Sequence, residues 1–266
     1  MSEQRALQLE SFVVGDGEHR VVFLHGLMGR GRNFTTIAKG LGDGYASLML
    51  DLPNHGESPW TDSWDYNLVA DRVASHLRGR FAAHGPVNVV GHSMGGKVAM
   101  LLALRHPELV ERLVIIDIAP VDSSATGGTF EHLLGALLRV ELDGLIDRNA
   151  AAAQLHEPIP DATMRGFLMQ NLRRTPDGFA WQPNVQMLYD NLPVIAGFPD
   201  VAGQHFDGPT LWIGGGESNY IQDEYVPIMR ALFPRMRRLT VKGAGHWVHS
   251  EQPQQVITAL RCFFEH

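Results

Sequence analysis

The chain has a single cysteine, Cys262, among its 266 residues, which excludes an internal disulfide. Cys262 lies in the apolar run from Val256 to Phe264, and the reading is a buried, unreactive thiol. No apolar run approaches the length needed to span a bilayer. The opening Met1-Ser2-Glu3-Gln4-Arg5 lacks a cationic stretch followed by an apolar core, so a cytoplasmic protein is expected. Basic blocks are missing as well. The 22 Lys and Arg are outnumbered by 29 Asp and Glu, giving a net charge of −7, and no nucleic-acid partner is expected. None of the 13 histidines stands in a His-Glu-x-x-His motif or beside a cysteine cluster, so no metal is expected. Internal repeats, linkers and low-complexity tracts are also missing.

What is present suits one large core, because 44% of residues are hydrophobic. Residues 6–14 partly alternate, as a half-exposed strand does. Arg20 to His25, Tyr45 to Asp51, Val87 to Val90 and Leu113 to Asp117 read as buried strands. Helices are expected from Phe34 to Leu41, over 66–83 (Leu68, Val69, Val73, Leu77 and Phe81 at helical spacing) and from Lys97 to Leu104. Strand alternating with helix argues a mostly parallel sheet covered on both faces. From 119 to 205 the alternation stops. Helical runs are expected at Phe130–Leu142, Leu145–Leu155 and Thr163–Leu172, a short helix or irregular stretch at 185–189, and no strong strand series. Alternation resumes with a strand at 209–214, a helix from Gln222 to Leu232, a strand at 238–241 and a helix from Gln252 to Phe264. Residues 1–118 and 206–266 therefore read as one α/β core, and 119–205 as a helical cap over the sheet edge where ligands bind.

The stretch with chemistry is Gly91-His92-Ser93-Met94-Gly95-Gly96, lying between an apolar strand and a helical run. Strand, Gly-x-Ser-x-Gly and helix is the context of a nucleophile elbow, where glycines flank a serine on a sharp turn. A serine hydroxyl needs a base, and the base needs an orienting carboxylate, in chain order serine, acid, histidine. His246, in Gly243-Ala244-Gly245-His246-Trp247 after the last strand, is the candidate base; nearby His249 reads as a helix-start or lid-contact residue. For the acid, the later loop Gly214-Gly215-Gly216-Glu217-Ser218-Asn219 offers Glu217, with Ser218 near where an aspartate would be expected. Asp117, ending an apolar strand beside the elbow strand, is preferred; Asp122 and Asp223 rank behind Glu217. Backbone N–H groups of Met94 and Leu27 are the candidate oxyanion donors. Gly26, Gly29 and Gly31, with Asp51, imitate a dinucleotide fingerprint, but the spacing is wrong and a nicotinamide enzyme is disfavoured.

These pieces resemble an α/β-hydrolase along nearly the whole chain: His25-Gly26, Asp51 to Ser58, Gly91 to Gly96 and Gly243 to Trp247. More narrowly, Gly96 to Met100, Asp117 to Val121, Gly215 to Tyr220 and His246 to His249 resemble the bacterial YbfF-type esterases and their mitochondrial relatives. That resemblance implies an α/β-hydrolase fold, an acid at the Asp117 position, and hydrolysis of short-acyl esters or thioesters without a cofactor. Two departures stand out. Gly29-Arg30-Gly31-Arg32 is more basic than the group, which raises contact with an anionic substrate group against plain solvation. Glu217 replaces a neutral residue, which keeps it as the alternative acid.

The expectation is a serine carboxylesterase acting on a small-molecule ester through a Ser93-His246-Asp117 triad. The same triad would serve acyl transfer, perhydrolysis or C–C hydrolysis. A receptor that keeps the triad and signals through its lid is a reading from another class. Epoxide hydrolases and haloalkane dehalogenases are disfavoured because they carry aspartate where Ser93 stands. Trp181, Met187, Leu188 and Tyr189 are candidates for acyl contacts, with core packing the safer reading of each.

Overall fold

The computed structural model describes residues 8–124 and 128–265. Of the first expected strand, residues 6 and 7 lie outside the described residues. The rest forms β1 (Ser11–Val14), which pairs antiparallel with β3 (Tyr45–Leu50). β2 (His19–Leu24), β4 (Val87–His92), β5 (Val110–Ile116), β8 (Thr210–Gly215) and β9 (Met236–Val241) complete a seven-stranded sheet in the order β1-β3-β2-β4-β5-β8-β9. Every pairing after β1 is parallel. Parallel neighbours require crossovers, and the helices that supply them cover both faces.

Alternate strand residues feed two cores. Val22, Leu24, Leu113, Ile115 and Trp212 join one, packed under α2 (Tyr66–Arg78) and α3 (Met94–Arg105). Val21, Phe23, Val114, Ile116 and Ile213 join the other, under α1 (Thr35–Leu41) and the C-terminal α11 (Pro253–Glu265). Asp65 caps α2 by accepting the N–H groups of Asn67 and Leu68, and Gly79 follows its last residue. The helix therefore ends five residues before the expected limit. Phe81 lies in the following turn, and Leu68 faces solvent. The expectation of a buried Cys262 is corrected: α11 buries Val256, Ile257, Leu260 and Phe264, and Cys262, two positions past Leu260, falls on the opposite, exposed face.

Between β5 and β8 the chain forms α4 (Gly128–Leu138), α5 (Arg148–Gln154), α6 (Ala162–Met169), α7 (Val185–Asp190) and α8 (Leu192–Ala196), and α9 (Val226–Leu232) lies between β8 and β9. Asp147, Asp161 and Asn184 cap α5, α6 and α7 through side-chain oxygens. The helix expected to reach Leu172 stops at Met169. Leu172 instead opens a hairpin, β6 (Leu172–Thr175) with β7 (Gly178–Trp181). Four-residue strands carry too little periodicity to register, but Pro176-Asp177-Gly178 is a turn signature, and Gly178 takes φ +136°. Among the described residues, no helix is long and apolar enough to cross a membrane.

The elbow is packed to backbone contact. A Cβ on Gly95 would lie 2.4 Å from the carbonyl oxygens of both Leu24 and His25, so α3 is pressed against the end of β2 at this point. Gly95→Ala is expected to cost more than about 3 kcal/mol or to abolish folding, because no flexible side chain can give way. Gly166→Ala is the control: it is helical, an added Cβ there meets nothing within 4 Å, and the helix is expected to gain up to about 1 kcal/mol. Equal melting temperatures for the two variants would contradict the close approach.

Candidate active site

Strand register places the first two residues. Gly91 pairs with Ile115 and His92 with Ile116, so β4 and β5 end level, and the next residue of each strand is Ser93 and Asp117. The Ser93 N–H donates to the Ile116 carbonyl at 3.0 Å, and the Asp117 N–H to the Ile213 carbonyl at 2.9 Å. Both leave their strands at φ +52°, a left-handed backbone that a side chain rarely accepts. Such conformations cost about 1–3 kcal/mol each and persist only where surrounding packing holds them. Small neighbours make the turn possible: a Cβ on Gly91 would meet the Gly95 carbonyl oxygen at 2.4 Å.

The third residue arrives from the loop after β9. That loop lies directly on the end of β8, where a Cβ on Gly215 would stand 2.1 Å from the Gly245 carbonyl. The approach carries His246 between the other two. Ser93 Oγ lies 3.0 Å from His246 Nε2, and His246 Nδ1 lies 2.8 Å from Asp117 Oδ2. All three are buried, and Asp117 is 0% exposed. Asp117 is fully engaged: Oδ1 accepts the Gly215 N–H at 2.9 Å, and Oδ2 accepts the Ser218 hydroxyl as well as His246. Donation from Nδ1–H to a carboxylate leaves Nε2 with its lone pair facing the serine hydroxyl.

The other carboxylates raised by the sequence lie elsewhere. Glu217 is exposed, held by its own N–H on the Ala244 carbonyl. Asp122 accepts the Ser124 N–H at 2.7 Å, and Asp223 pairs with Arg238. Asp51, the ribose-binding imitator, accepts the amides of Gly31 and Glu57, and a Cβ on Gly56 would strike its carboxylate at 1.9 Å. It ties two loops together. Arg32 lies over the Phe12 ring, and neither Arg30 nor Arg32 lines the cavities at Ser93. Trp181, Met187 and Leu188 are core, whereas Tyr189 lines the larger cavity.

The sequence assigns no role to three neighbours of the site. Ser218 sits in the loop where an acid would be sought and reaches Asp117 by its hydroxyl. Tyr220 stacks on the His246 ring at 4.1 Å between centroids. His92 donates from Nε2 to the His246 carbonyl at 2.9 Å. A polar residue inside an elbow strand is the signal for the last of these, since burial demands a partner. His249 lies in α10 (Val248–Glu251) and stacks on Phe34 of the core at 4.7 Å between centroids.

Two cavities open at Ser93. The larger, about 450 Å³, is bounded by Leu27, Met94 and Lys97 of the core and by Phe130, Tyr189 and Ile195 of the inserted segment. The smaller, about 70 Å³, is bounded by Gly26, His246, Trp247, His249 and Phe167. Met94 opens α3, so its N–H precedes the first intrahelical bond. Gly26 passes so near that an added Cβ would lie 3.2 Å from Ser93 Cβ, which brings the Leu27 loop to the serine.

Around the site, burial keeps several imidazoles neutral. It pulls His25 down to about 4 and His55 and His249 to about 3, and holds His92 well below its ordinary value. His25 and His55 use Nε2 to accept the N–H of Leu52 and of Met28, a role open only to the neutral ring. An unfolded chain takes up protons below about pH 6.5 that these rings refuse in the folded state. Stability is thus complete above that pH and falls toward pH 4, by about 1.4 kcal/mol per pH unit for each such histidine. Urea unfolding midpoints at pH 7.5 and pH 5 check this; equal midpoints would rule it out.

A model of the alpha/beta hydrolase fold matches residues 19–253. The chain is 38% identical over 251 residues to the sn-1-specific diacylglycerol lipase ABHD11 of Mus musculus, covering 91% of this chain and 80% of that protein. It is 32% identical over 243 residues to esterase YbfF of Escherichia coli K12, covering 91% and 92%. Among solved structures, a marine microorganism esterase superposes with a TM-score of 0.92 at 30% identity, covering 96% of this chain and 99% of that one. By that match and these likenesses, the chain belongs to the alpha/beta hydrolase fold family.

Proposed function

We propose that this serine hydrolase is a carboxylesterase for small esters with short acyl chains, working through an acyl-enzyme on Ser93. The observation that carries the reading is the unbroken hydrogen-bonded line from Ser93 through His246 to buried Asp117, opening on a cavity of about 450 Å³. Ser93 Oγ attacks the acyl carbon and gives its proton to His246 Nε2. Asp117 holds the tautomer and stabilises the imidazolium, with the stacked Tyr220 ring beside it. Backbone N–H groups of Leu27 and Met94 are assigned to the oxyanion. His246 then protonates the leaving oxygen, and a water deprotonated by the same ring clears the acyl group. Residues 119–205 act as the cap, and 1–118 with 206–266 as the catalytic core.

The two cavities assign the substrate's halves. The leaving oxygen must face His246, which borders the smaller cavity, so the alcohol part lies there and the acyl chain takes the larger one. Esters of small alcohols are therefore preferred. The names of the E. coli and mouse relatives, esterase and lipase, support ester chemistry.

Ser93→Ala is expected to abolish turnover of ethyl acetate, and Asp117→Asn to lower kcat on the order of 10⁴-fold. Loss of activity in Glu217→Gln with Asp117→Asn near wild type would reassign the acid. Methyl and ethyl esters are expected to outrun esters of branched alcohols at a fixed acyl group, and Phe167→Ala is expected to narrow that gap. Faster turnover in the presence of an added alcohol, with a new ester formed, would move the reading to acyl transfer on the same triad.

A further inference from the structure

Lys97 lies one helical turn after Ser93 and is 1% exposed, and the mechanism above makes no use of it. Its ammonium reaches both ends of the inserted segment. It donates to Ser123 Oγ at 3.2 Å, where the chain has just left β5, and to the carbonyls of Ala196 and Gly197 (the latter at 2.8 Å), where α8 ends and the chain turns back to the core. Entry and exit are also bonded to each other, since both the N–H and the hydroxyl of Ser123 donate to the Ala196 carbonyl, at 2.9 and 3.0 Å.

Burying an ammonium costs several kcal/mol, and an apolar side chain of similar volume would fill the space without that cost. Here three acceptors occupy all three ammonium protons. Two of them are carbonyls at a helix C-terminus, which otherwise have no partner within the helix. Burial pulls the Lys97 pKa down to about 7, opposed by the charge of Asp122. Lys97, Ser123 and Ala196 also border the larger cavity, together with Ser93.

We infer that Lys97 is a clasp: it pins the entry and exit of the inserted segment to the helix that carries Ser93, and thereby sets which acyl lengths the larger cavity accepts. It is a positioning residue that governs specificity. The inference rests on the carboxylesterase reading for its substrate, but the clasp itself is a statement about structure.

The test is Lys97→Met, assayed by acid release on ethyl esters from acetate to dodecanoate, with hydrogen exchange of the Ser123 amide as a second readout. Loss of the clasp is expected to flatten the chain-length profile, the ratio of best to poorest kcat/KM falling about tenfold, or about 1.4 kcal/mol. The change is expected mainly in KM, and Ser123 exchange is expected to quicken. A profile of unchanged shape, whether scaled down or not, overturns the inference, as does unaltered exchange. If Lys97→Met does not fold, Ser123→Ala removes one acceptor and one bond between entry and exit, and must flatten the profile in the same direction; an unchanged profile in Ser123→Ala again overturns it. If the wild type hydrolyses no ester of the series, the carboxylesterase reading fails, while the exchange comparison still decides for or against the clasp.

Discussion

The buried carboxylate of Asp117 is the point on which the site depends. Removing a carboxylate from water is tolerated only when its lone pairs are taken up by donors. Three segments supply them: the end of β8 through the Gly215 N–H, the following loop through Ser218, and the loop after β9 through His246. Each donor comes from a different stretch of chain, so satisfying one charge brings the ends of three strands together. His246 is oriented as a consequence. Its ring could not face Ser93 with the correct nitrogen unless the other nitrogen were held by an acceptor that water does not reach.

Around this point the fold stores strain and distributes support for it. Ser93 and Asp117 share the same left-handed backbone at level strand ends, and packing between β4, β5 and α3 leaves no room to relax. A second layer of neutral histidines surrounds them. His25 and His55 link the two loops beside the serine, and His92 holds the carbonyl of His246. The His25 and His55 rings each donate from Nδ1 and accept at Nε2, and burial keeps them in the uncharged form which that role requires. The inserted segment is tied differently, by the buried Lys97 side chain bonded to Ser123 and to the Ala196 and Gly197 carbonyls, so Ser93 and the wall of the larger cavity meet at a single helix.

Much of this is legible in the amino-acid sequence. Continuous apolar runs at regular intervals are enough to indicate parallel strands buried on both faces. The elbow was readable because only glycine fits where backbones come within 2.4 Å. Asp117 was readable because an ionisable residue closing Leu113 to Ile116 has no place in a core. Other features left no local trace. The hairpin at 172–181 is too short for periodicity, and Cys262 in an apolar run looked buried until the helix phase decided which face met the core. Ser218 and Tyr220 act through residues about 100 and 26 positions away, and no local pattern encodes such pairings.

The sequence by itself determined the alternation of strand and helix and the tight turn at Ser93, since each is set by sterics or polarity over a few neighbouring residues. Only the tertiary structure decided how the Asp117 carboxylate is held, which rings stay neutral, and how the cavity at Ser93 divides. Those outcomes depend on burial and on register between strands far apart in the chain, and neither is defined until the sheet is assembled.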